Sequence, residues 1–246
     1  MGTETQPTIN VTLRIPGDWQ HPKDIIDRLP EGYRVAGNHL ILPDETEMEI
    51  YPIPADSQFA DIFRTSLRQP ASKEELEIVD RYTIKVGLSG PGGNLESALT
   101  MMEAGAAIIQ AGGAGVFIDN SCLAHGAEDW LQMTEDGSSD AISFGFAAIV
   151  RGQRDVWTMG MHVAGFPEIV MSRADVEAND RTIIEMIRYI CASDRPVGDG
   201  HIIADEEAPR FRIQQEFPDQ SRLPEAMRNP FGRLRMISFK DMAEQN

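Results

Sequence analysis

The chain has 246 residues and a net charge of −17 at neutral pH, from 39 acidic and 22 basic side chains. Hydrophobic residues make up 41% of it, which is typical of globular proteins and sufficient for a sizeable core. The negative charge repels phosphate groups, so we expect no broad nucleic-acid interface and no anionic-membrane footprint. A solvated acidic surface with no partner implied is the simplest explanation of the charge.

The beginning of the chain carries no recognisable targeting signal. The stretch from Met1 to Gln6 lacks the basic region and apolar core of a signal peptide, and Gln6 stands where a myristoylation signal has Ser or Thr. The longest uncharged stretch, Ala104 to Ile118, is too short to span a membrane. Cys122 and Cys191 are far apart and in no metal-like spacing. We therefore expect a cytoplasmic protein with reduced cysteines.

Before residue 80 the pattern predicts short strands and helices. They are a strand over 9–15, a helix over 21–29, a hairpin over 33–42, a strand over 48–51 that Pro52 closes, and helices over 59–67 and 73–79. In the first helix we expect Ile25, Ile26 and Leu29 to face inward. Glu47 and Glu49 share one strand face, which favours solvent exposure over a catalytic role.

The most legible stretch, residues 82–120, predicts a β-α-β unit. A strand over 83–86 is followed by a Gly-rich turn over 87–93, a helix capped by Asn94, and a strand over 116–118. Backbone N–H groups at such a turn can bind an anion, but the stretch lacks both the P-loop Lys-Ser/Thr and the G-x-G-x-x-G spacing. Tight packing of strand against helix explains the same glycines.

An acidic, polar stretch over 134–140 predicts the boundary between two halves. We expect an N-terminal α+β half over 8–134 and a C-terminal α+β half over 140–246. The second half is predicted to hold strands over 142–150, 156–163 and 168–171, a helix over 175–191, and strands over 201–204, 211–217 and 234–239. The fold class is α+β, with two mixed or antiparallel sheets that are each covered by helices on one face.

The most distinctive string runs from Asp155 to Met171. As a strand it places Trp157, Met159 and Met161 on one side and Thr158, Gly160 and His162 on the other. The small side chains at 158 and 160 leave room for a close neighbour, either the helix from Asp175 or a ligand. The candidate ligand-binding residues are Thr158, Gly160, His162 and Glu168.

Two motifs carry a resemblance to known families. Thr158-x-Gly160-Met161 followed by Gly165-x-Pro167-Glu168-Ile169 resembles a pattern of uncharacterised bacterial proteins, the domain of unknown function four-two-six-two, and more loosely suppressor-of-fused-like domains. The region from Tyr51 to Phe117 is similar to another such family, four-two-six-one. The resemblance implies an α+β fold and transfers no catalytic residue.

No pattern in the sequence assigns a catalytic residue, a metal site or a cofactor. The five histidines and two cysteines form neither an H-E-x-x-H nor a C-x-x-C motif. His162 and Glu168 could still meet in space as metal ligands, or be satisfied structural groups. Cys122 and His125 could face each other on one helical turn as nucleophile and base, or Cys122 could be a buried, inert cysteine.

The basic segment near the C-terminus is a further candidate. Arg222, Arg228, Arg233 and Arg235 could recognise an acidic ligand, or pair with the chain's own acidic residues such as Asp205-Glu206-Glu207.

Three functions are compatible with these patterns. The leading hypothesis is a non-catalytic binding or protein-interaction module with an unknown protein or small-molecule partner. The alternative is a hydrolase or metal-dependent enzyme that uses His162 and Glu168, with His125 as a third candidate. A homo-oligomer is the third hypothesis, with an interface made of Phe144, Phe146, Met159 and Met161.

Overall fold

A computed structural model describes residues 8–193, 195–204 and 209–239. Within these residues the chain forms two β-sheets with helices packed against them, which confirms the predicted α+β class. No helix in the described ranges is long and apolar enough to cross a membrane.

The first sheet has seven antiparallel strands in the order β2-β3-β4-β5-β1-β6-β7. The strands are β1 (Ile9–Gly17), β2 (Arg34–Ala36), β3 (His39–Ile41), β4 (Glu47–Pro54), β5 (Ile84–Gly92), β6 (Gly115–Ile118) and β7 (Leu123–Gly126). The accompanying helices are α1 (Pro22–Ile26), α2 (Phe59–Ser66), α3 (Lys73–Arg81), α4 (Leu95–Gln110) and α5 (Ala127–Asp136). The largest hydrophobic cluster lies between β1, β5 and α4.

The Gly-rich stretch is part of strand β5, so the predicted turn over 87–93 is wrong. Its residues pair with β1 on one side and with β4 on the other. A Cβ on Gly87 would lie 2.3 Å from the ring of Tyr51, and one on Gly90 would lie 2.0 Å from the sulfur of Met48. Large side chains from β4 therefore occupy the space above these glycines, which leaves no anion-binding turn here.

The β-α-β unit exists in a split form. Because β5 and β6 both run antiparallel to β1, they are parallel to each other, with β1 between them. Asn94 caps α4 as predicted, since its side chain accepts a hydrogen bond from the N–H of Ser97 at 2.8 Å. The helix is buried on most sides, because α5 and α6 (Ser139–Phe146) also pack against it.

Several other predictions in the first half also need adjusting. Helix α1 ends at Ile26, which is 45% exposed, so only Ile25 of the predicted inward face is fully buried. Strand β4 continues through Pro52 to Pro54. Glu47 and Glu49 are exposed, as predicted.

The second sheet has six strands in the order β11-β12-β13-β10-β9-β8. They are β8 (Ala148–Arg151), β9 (Asp155–Met159), β10 (Glu168–Ser172), β11 (Ile202–Ala204), β12 (Pro209–Glu216) and β13 (Arg233–Ser238). Strands β10 and β13 are parallel, and the other neighbours are antiparallel, so the sheet is mixed. Helix α7 (Arg181–Cys191) packs against this sheet. As predicted, it buries Ile183, Ile187, Ile190 and Cys191 in the hydrophobic cluster of the second sheet.

Residues 142–146, predicted as a strand, belong to helix α6. Ser138 caps this helix through a hydrogen bond from the N–H of Ala141, and Ile142 and Phe146 face the core at the helical i, i+4 spacing. Alternating apolar residues are thus also compatible with a helix that is buried on more than one side, as α6 is from Ala141 to Phe146. Helix α7 begins six residues later than predicted, after a 3-10 turn over Arg173–Asp175.

A 3-10 turn over Met161–Ala164 joins the two cores. It replaces the end of the strand that we predicted over 156–163. Val163 and Ala164 pack in the cluster of the first sheet, whereas Met161 packs in the cluster of the second. The N–H of Gly93 also donates to the carbonyl of Val163 at 2.8 Å. The division into halves at 134–140 stays a prediction, and this stretch is the end of α5 and the start of α6.

Candidate functional site

The four predicted site residues lie close together in the structure. Thr158 is on β9, Gly160 follows that strand, His162 lies in the 3-10 turn, and Glu168 opens β10. The antiparallel pairing of β9 with β10 brings the two ends of this connection together. Each of the first three residues lies within 3.5 Å of a Glu168 carboxylate oxygen.

Hydrogen bonds from the protein itself surround the Glu168 carboxylate. Oε1 accepts from the N–H of Gly160 at 3.0 Å and from the side-chain amide of Asn229 at 2.9 Å. Oε2 accepts from the hydroxyl of Thr158 at 2.7 Å and from the N–H of Met161 at 3.4 Å. The side chain is only 14% exposed. A carboxylate held by four donors ties β9, β10 and the segment around Asn229 together.

Gly160 is required by the backbone. Its φ of +104° lies in the region that favours glycine, and a Cβ there would lie 2.3 Å from the carbonyl oxygen of Phe146. The close neighbour of this small residue is therefore the end of α6. We expected the helix from Asp175 or a ligand in that place, and the structure assigns it to neither.

His162 forms the back wall of a cleft and is almost completely buried, at 1% exposure. Its Nε2 lies 2.9 Å from the carbonyl oxygen of Ala226, which can only accept, so Nε2 carries the proton of this bond. Its Nδ1 lies 3.5 Å from Glu168 Oε1, and a hydrogen bond at this distance limit requires a proton on Nδ1 as well. Both ring nitrogens thus face protein groups.

The cleft in front of His162 lies between the start of β1 and the segment 220–230. It has a volume of about 790 Å³. Uncharged polar side chains dominate its walls, namely Thr8, Asn10, Thr12, Asn120, Gln220, Ser221 and Asn229. Glu225 and Arg228 are the charged residues among the lining, and their charges cancel.

Asn120 continues the first sheet where β6 ends. Its Oδ1 accepts from the N–H of Thr12 at 3.1 Å, and its Nδ2 donates to the carbonyls of Asn10 at 3.0 Å and Ala226 at 2.8 Å. The side-chain amide therefore stands in for a peptide group beside β1. Sequence reasoning missed this residue. The only local signal is an Asn two positions after the apolar strand β6, and its complete burial is visible only in the structure.

Asn229 is the second residue that sequence reasoning missed. It reaches Glu168 across 61 residues of sequence and also donates to the carbonyl of Phe166 at 2.9 Å. Gln220 holds its backbone through two hydrogen bonds of 2.7 and 2.8 Å. No local motif announces such a contact, because only the parallel β10–β13 pairing brings the two segments together.

The other candidate residues lie elsewhere and have other contacts. Cys122 and His125 do not share a helical turn, because Cys122 is in a left-handed loop conformation and His125 is on β7. Buried Phe146 and Met161 belong to the cores, so they cannot form the proposed oligomer interface. Oligomerisation itself stays a prediction.

Two of the four arginines in the basic segment pair with acidic residues of the chain, whereas Arg228 donates to the carbonyls of Leu223 and Ser221. Arg233 and Arg235 donate to Glu216 at 2.6 and 2.9 Å, and Arg235 also to Asp155 at 3.3 Å. The predicted partners Asp205-Glu206-Glu207 lie outside the described residues. Within the described ranges, no three His, Cys, Asp or Glu side chains group closely enough to hold a metal ion.

Comparison with known proteins returned no match to a family model, to a curated protein or to a solved structure. The resemblance to the two bacterial families therefore stays a prediction.

Proposed function

We propose that this protein is a non-catalytic binding module whose ligand occupies the cleft in front of His162. The observation that carries the proposal is that Glu168 and His162 are both hydrogen-bonded to other groups of the protein. The carboxylate accepts four hydrogen bonds from neighbouring groups, and Nε2 of the imidazole is bonded to a backbone carbonyl. Groups engaged in this way build the wall of a site rather than react in it.

The lining favours an uncharged ligand rich in hydroxyl or amide groups. Seven neutral polar side chains surround the cleft, and its single acid and single base balance each other. Amide and hydroxyl side chains both donate and accept, so they suit a ligand that does the same. A sugar or a peptide backbone has this chemistry, and a volume of about 790 Å³ is typical of a small-molecule site.

Thermal unfolding with two panels of probes tests the proposal. One panel contains neutral mono- and oligosaccharides, and the other contains N-acetylated amino-acid amides. A probe at about a hundred times its dissociation constant stabilises the folded state by about 2.7 kcal/mol. For a chain of this length that is a rise in Tm of roughly 5–10 °C.

Asn10 provides a variant that blocks the cleft. It is exposed and lines the cleft, so Asn10→Trp fills the space without removing a core contact. The rise in Tm should be lost in Asn10→Trp and kept in the matched control Gln214→Trp, an exposed amide on β12 outside the cleft. A rise that survives in Asn10→Trp would place the ligand elsewhere, and flat panels would refute the ligand class.

One observation favours the alternative function of a hydrolase or metal-dependent enzyme. His162 and Glu168 approach to 3.5 Å at the wall of an open cleft, which is the arrangement of a base and its orienting group. Such a role requires the ring to leave the Ala226 carbonyl when substrate binds and to carry its proton on Nδ1, facing Glu168. Turnover of an ester or phosphoester panel that is abolished in His162→Gln, with the fold retained, would establish it.

A further inference from the structure

A second cleft lies on another side of the junction between the two sheets. It has a volume of about 690 Å³ and is bordered by the loop after α2, the loop before β7, the end of α6, and β8. The charged residues of its lining are Arg68, Arg151 and Asp180, which together carry a charge of +1. A positive cleft is unexpected on a chain with a net charge of −17.

Arg68 is the central cation of this cleft. Its guanidinium donates to the carbonyl oxygens of Phe144, at 2.8 Å, and Ala147, and it stacks 4.2 Å from the centre of the Phe144 ring. These hydrogen bonds use two of the five guanidinium N–H groups. Within the described residues no carboxylate lies at ion-pair distance from Arg68. The charge of Asp180 acts on it from farther away, but Arg151 binds that carboxylate.

Two further observations agree with an unoccupied anion position. Desolvation lowers the pKa of Arg68 to about 10, and the smaller, opposing effect of the Asp180 charge does not offset it. The hydroxyl of Ser121, which lines the same cleft and is 2% exposed, has no hydrogen-bond partner in the described part of the chain. Arg151 does not compete for a ligand, because Asp180 and two carbonyls bind its guanidinium.

We propose that this cleft binds a small anion bearing a carboxylate or phosphate group, with Arg68 as its principal ligand. A guanidinium with free N–H groups and a desolvated charge recognises the two oxygens of such a group through parallel hydrogen bonds. The site is separate from the cleft in front of His162, and its existence does not depend on the function proposed for that cleft.

Cys122 lines the same cleft, so the rate at which its thiol is alkylated can report whether an anion occupies the cleft. It is the exposed one of the two cysteines, whereas Cys191 is buried. Burial raises the pKa of the Cys122 thiol, so its alkylation by uncharged iodoacetamide is measured at mildly alkaline pH. Mass spectrometry follows modification of Cys122 in inorganic phosphate or citrate at constant ionic strength. Buried Cys191, whose pKa desolvation raises to about 12, should stay unmodified as long as the protein is folded.

Phosphate or citrate should slow alkylation of Cys122 in a saturable way at millimolar concentrations. In Arg68→Gln the half-protecting concentration should rise roughly 10–100-fold, the loss expected for a hydrogen bond to a charged group. The exposed Arg154→Gln, outside the cleft, should behave as wild type.

Arg68→Lys covers the case in which Arg68→Gln does not fold, since it keeps the charge but loses the paired N–H groups. Its protection should also be weaker than that of wild type. Protection by one probe alone would identify the anion as phosphate or carboxylate. A Cys122 rate that is independent of both probes, or protection that is unchanged in the Arg68 variants, would overturn the proposal.

Discussion

Replacing His125 with Gln should remove a pH-dependent loss of stability. The imidazole is 1% exposed and lies between the rings of Trp130 and Phe144. Its Nε2 donates to the carbonyl of Gly145 at 2.9 Å, and its Nδ1 has no partner in the described residues, so the neutral ring is the form that fits. Burial, with a smaller contribution from the charge of Arg68, lowers the pKa of His125 from 6.5 to about 3.

The sign of the effect follows from which state takes up the proton. Below pH 6.5 the unfolded chain protonates this His, whereas the folded chain does so only near pH 3. Stability from the neutral ring is therefore fully present above pH 6.5 and is lost as the pH falls toward 3. Between about pH 7.5 and about pH 5.5 the expected loss is about 1.4 kcal/mol.

Urea denaturation at these two pH values measures the difference directly. The free energy of unfolding of wild type should fall by about 1.4 kcal/mol more than that of His125→Gln, which keeps a donor for Gly145 but does not titrate. Because both proteins share all other ionisable groups, their contributions cancel in the comparison. Parallel pH profiles for the two proteins would refute the neutral, desolvated ring.

Variants at two further positions test the backbone and the amide that shape the cleft. Gly160→Ala should destabilise the protein by about 3 kcal/mol or more, because a methyl group at φ +104° meets the carbonyl of Phe146. Chemical denaturation measures the free energy of unfolding, and a decrease of less than about 1 kcal/mol would contradict the strained geometry. Asn120→Ala should cost about 2 kcal/mol through the lost partners of Thr12 and Asn10. Asn120→Asp should cost at least as much, since it faces a carbonyl oxygen with another oxygen, and an Asp variant as stable as wild type would contradict the assigned amide contacts.

Local patterns in the sequence were sufficient for much of the fold. Strand β1 follows from strict apolar alternation, and α4 follows from the Asn94 cap and its apolar residues. The α7 face likewise follows from isoleucines at helical spacing. Each of these signals is carried by residues within one element, where period and cap chemistry act directly.

The errors arose where tertiary contacts decide the local structure. The glycines of β5 indicate a turn by composition, but they make room for Tyr51 and Met48 of the neighbouring strand. The alternation from Ile142 to Phe146 suits a strand, but Phe146 packs edge-on against Trp130 as part of a helix. Such choices depend on partners that are distant in sequence.

The candidate site was predicted in part for the same reason. Thr158, Gly160, His162 and Glu168 lie within one hairpin-like connection, so sequence reasoning could group them. Asn229 completes the group by a bond to Glu168 from 61 residues away, and Asn120 does so by donating to the same Ala226 carbonyl as His162. No motif encodes these contacts. Asn229 is thus one of the four donors that engage the Glu168 carboxylate within the protein.

The central claim is that the Glu168 carboxylate holds the wall of the cleft together. The change in the free energy of unfolding in Glu168→Gln tests this claim most directly. Replacing one acceptor oxygen by an amide removes charge-assisted bonds from Thr158 or Gly160, so the free energy of unfolding should fall by about 2 kcal/mol. Glu225→Gln, an exposed acid lining the same cleft, should stay within about 0.5 kcal/mol of wild type. A Glu168→Gln protein as stable as wild type, or more stable, would contradict the account, because removing a strained reactive group commonly stabilises an enzyme.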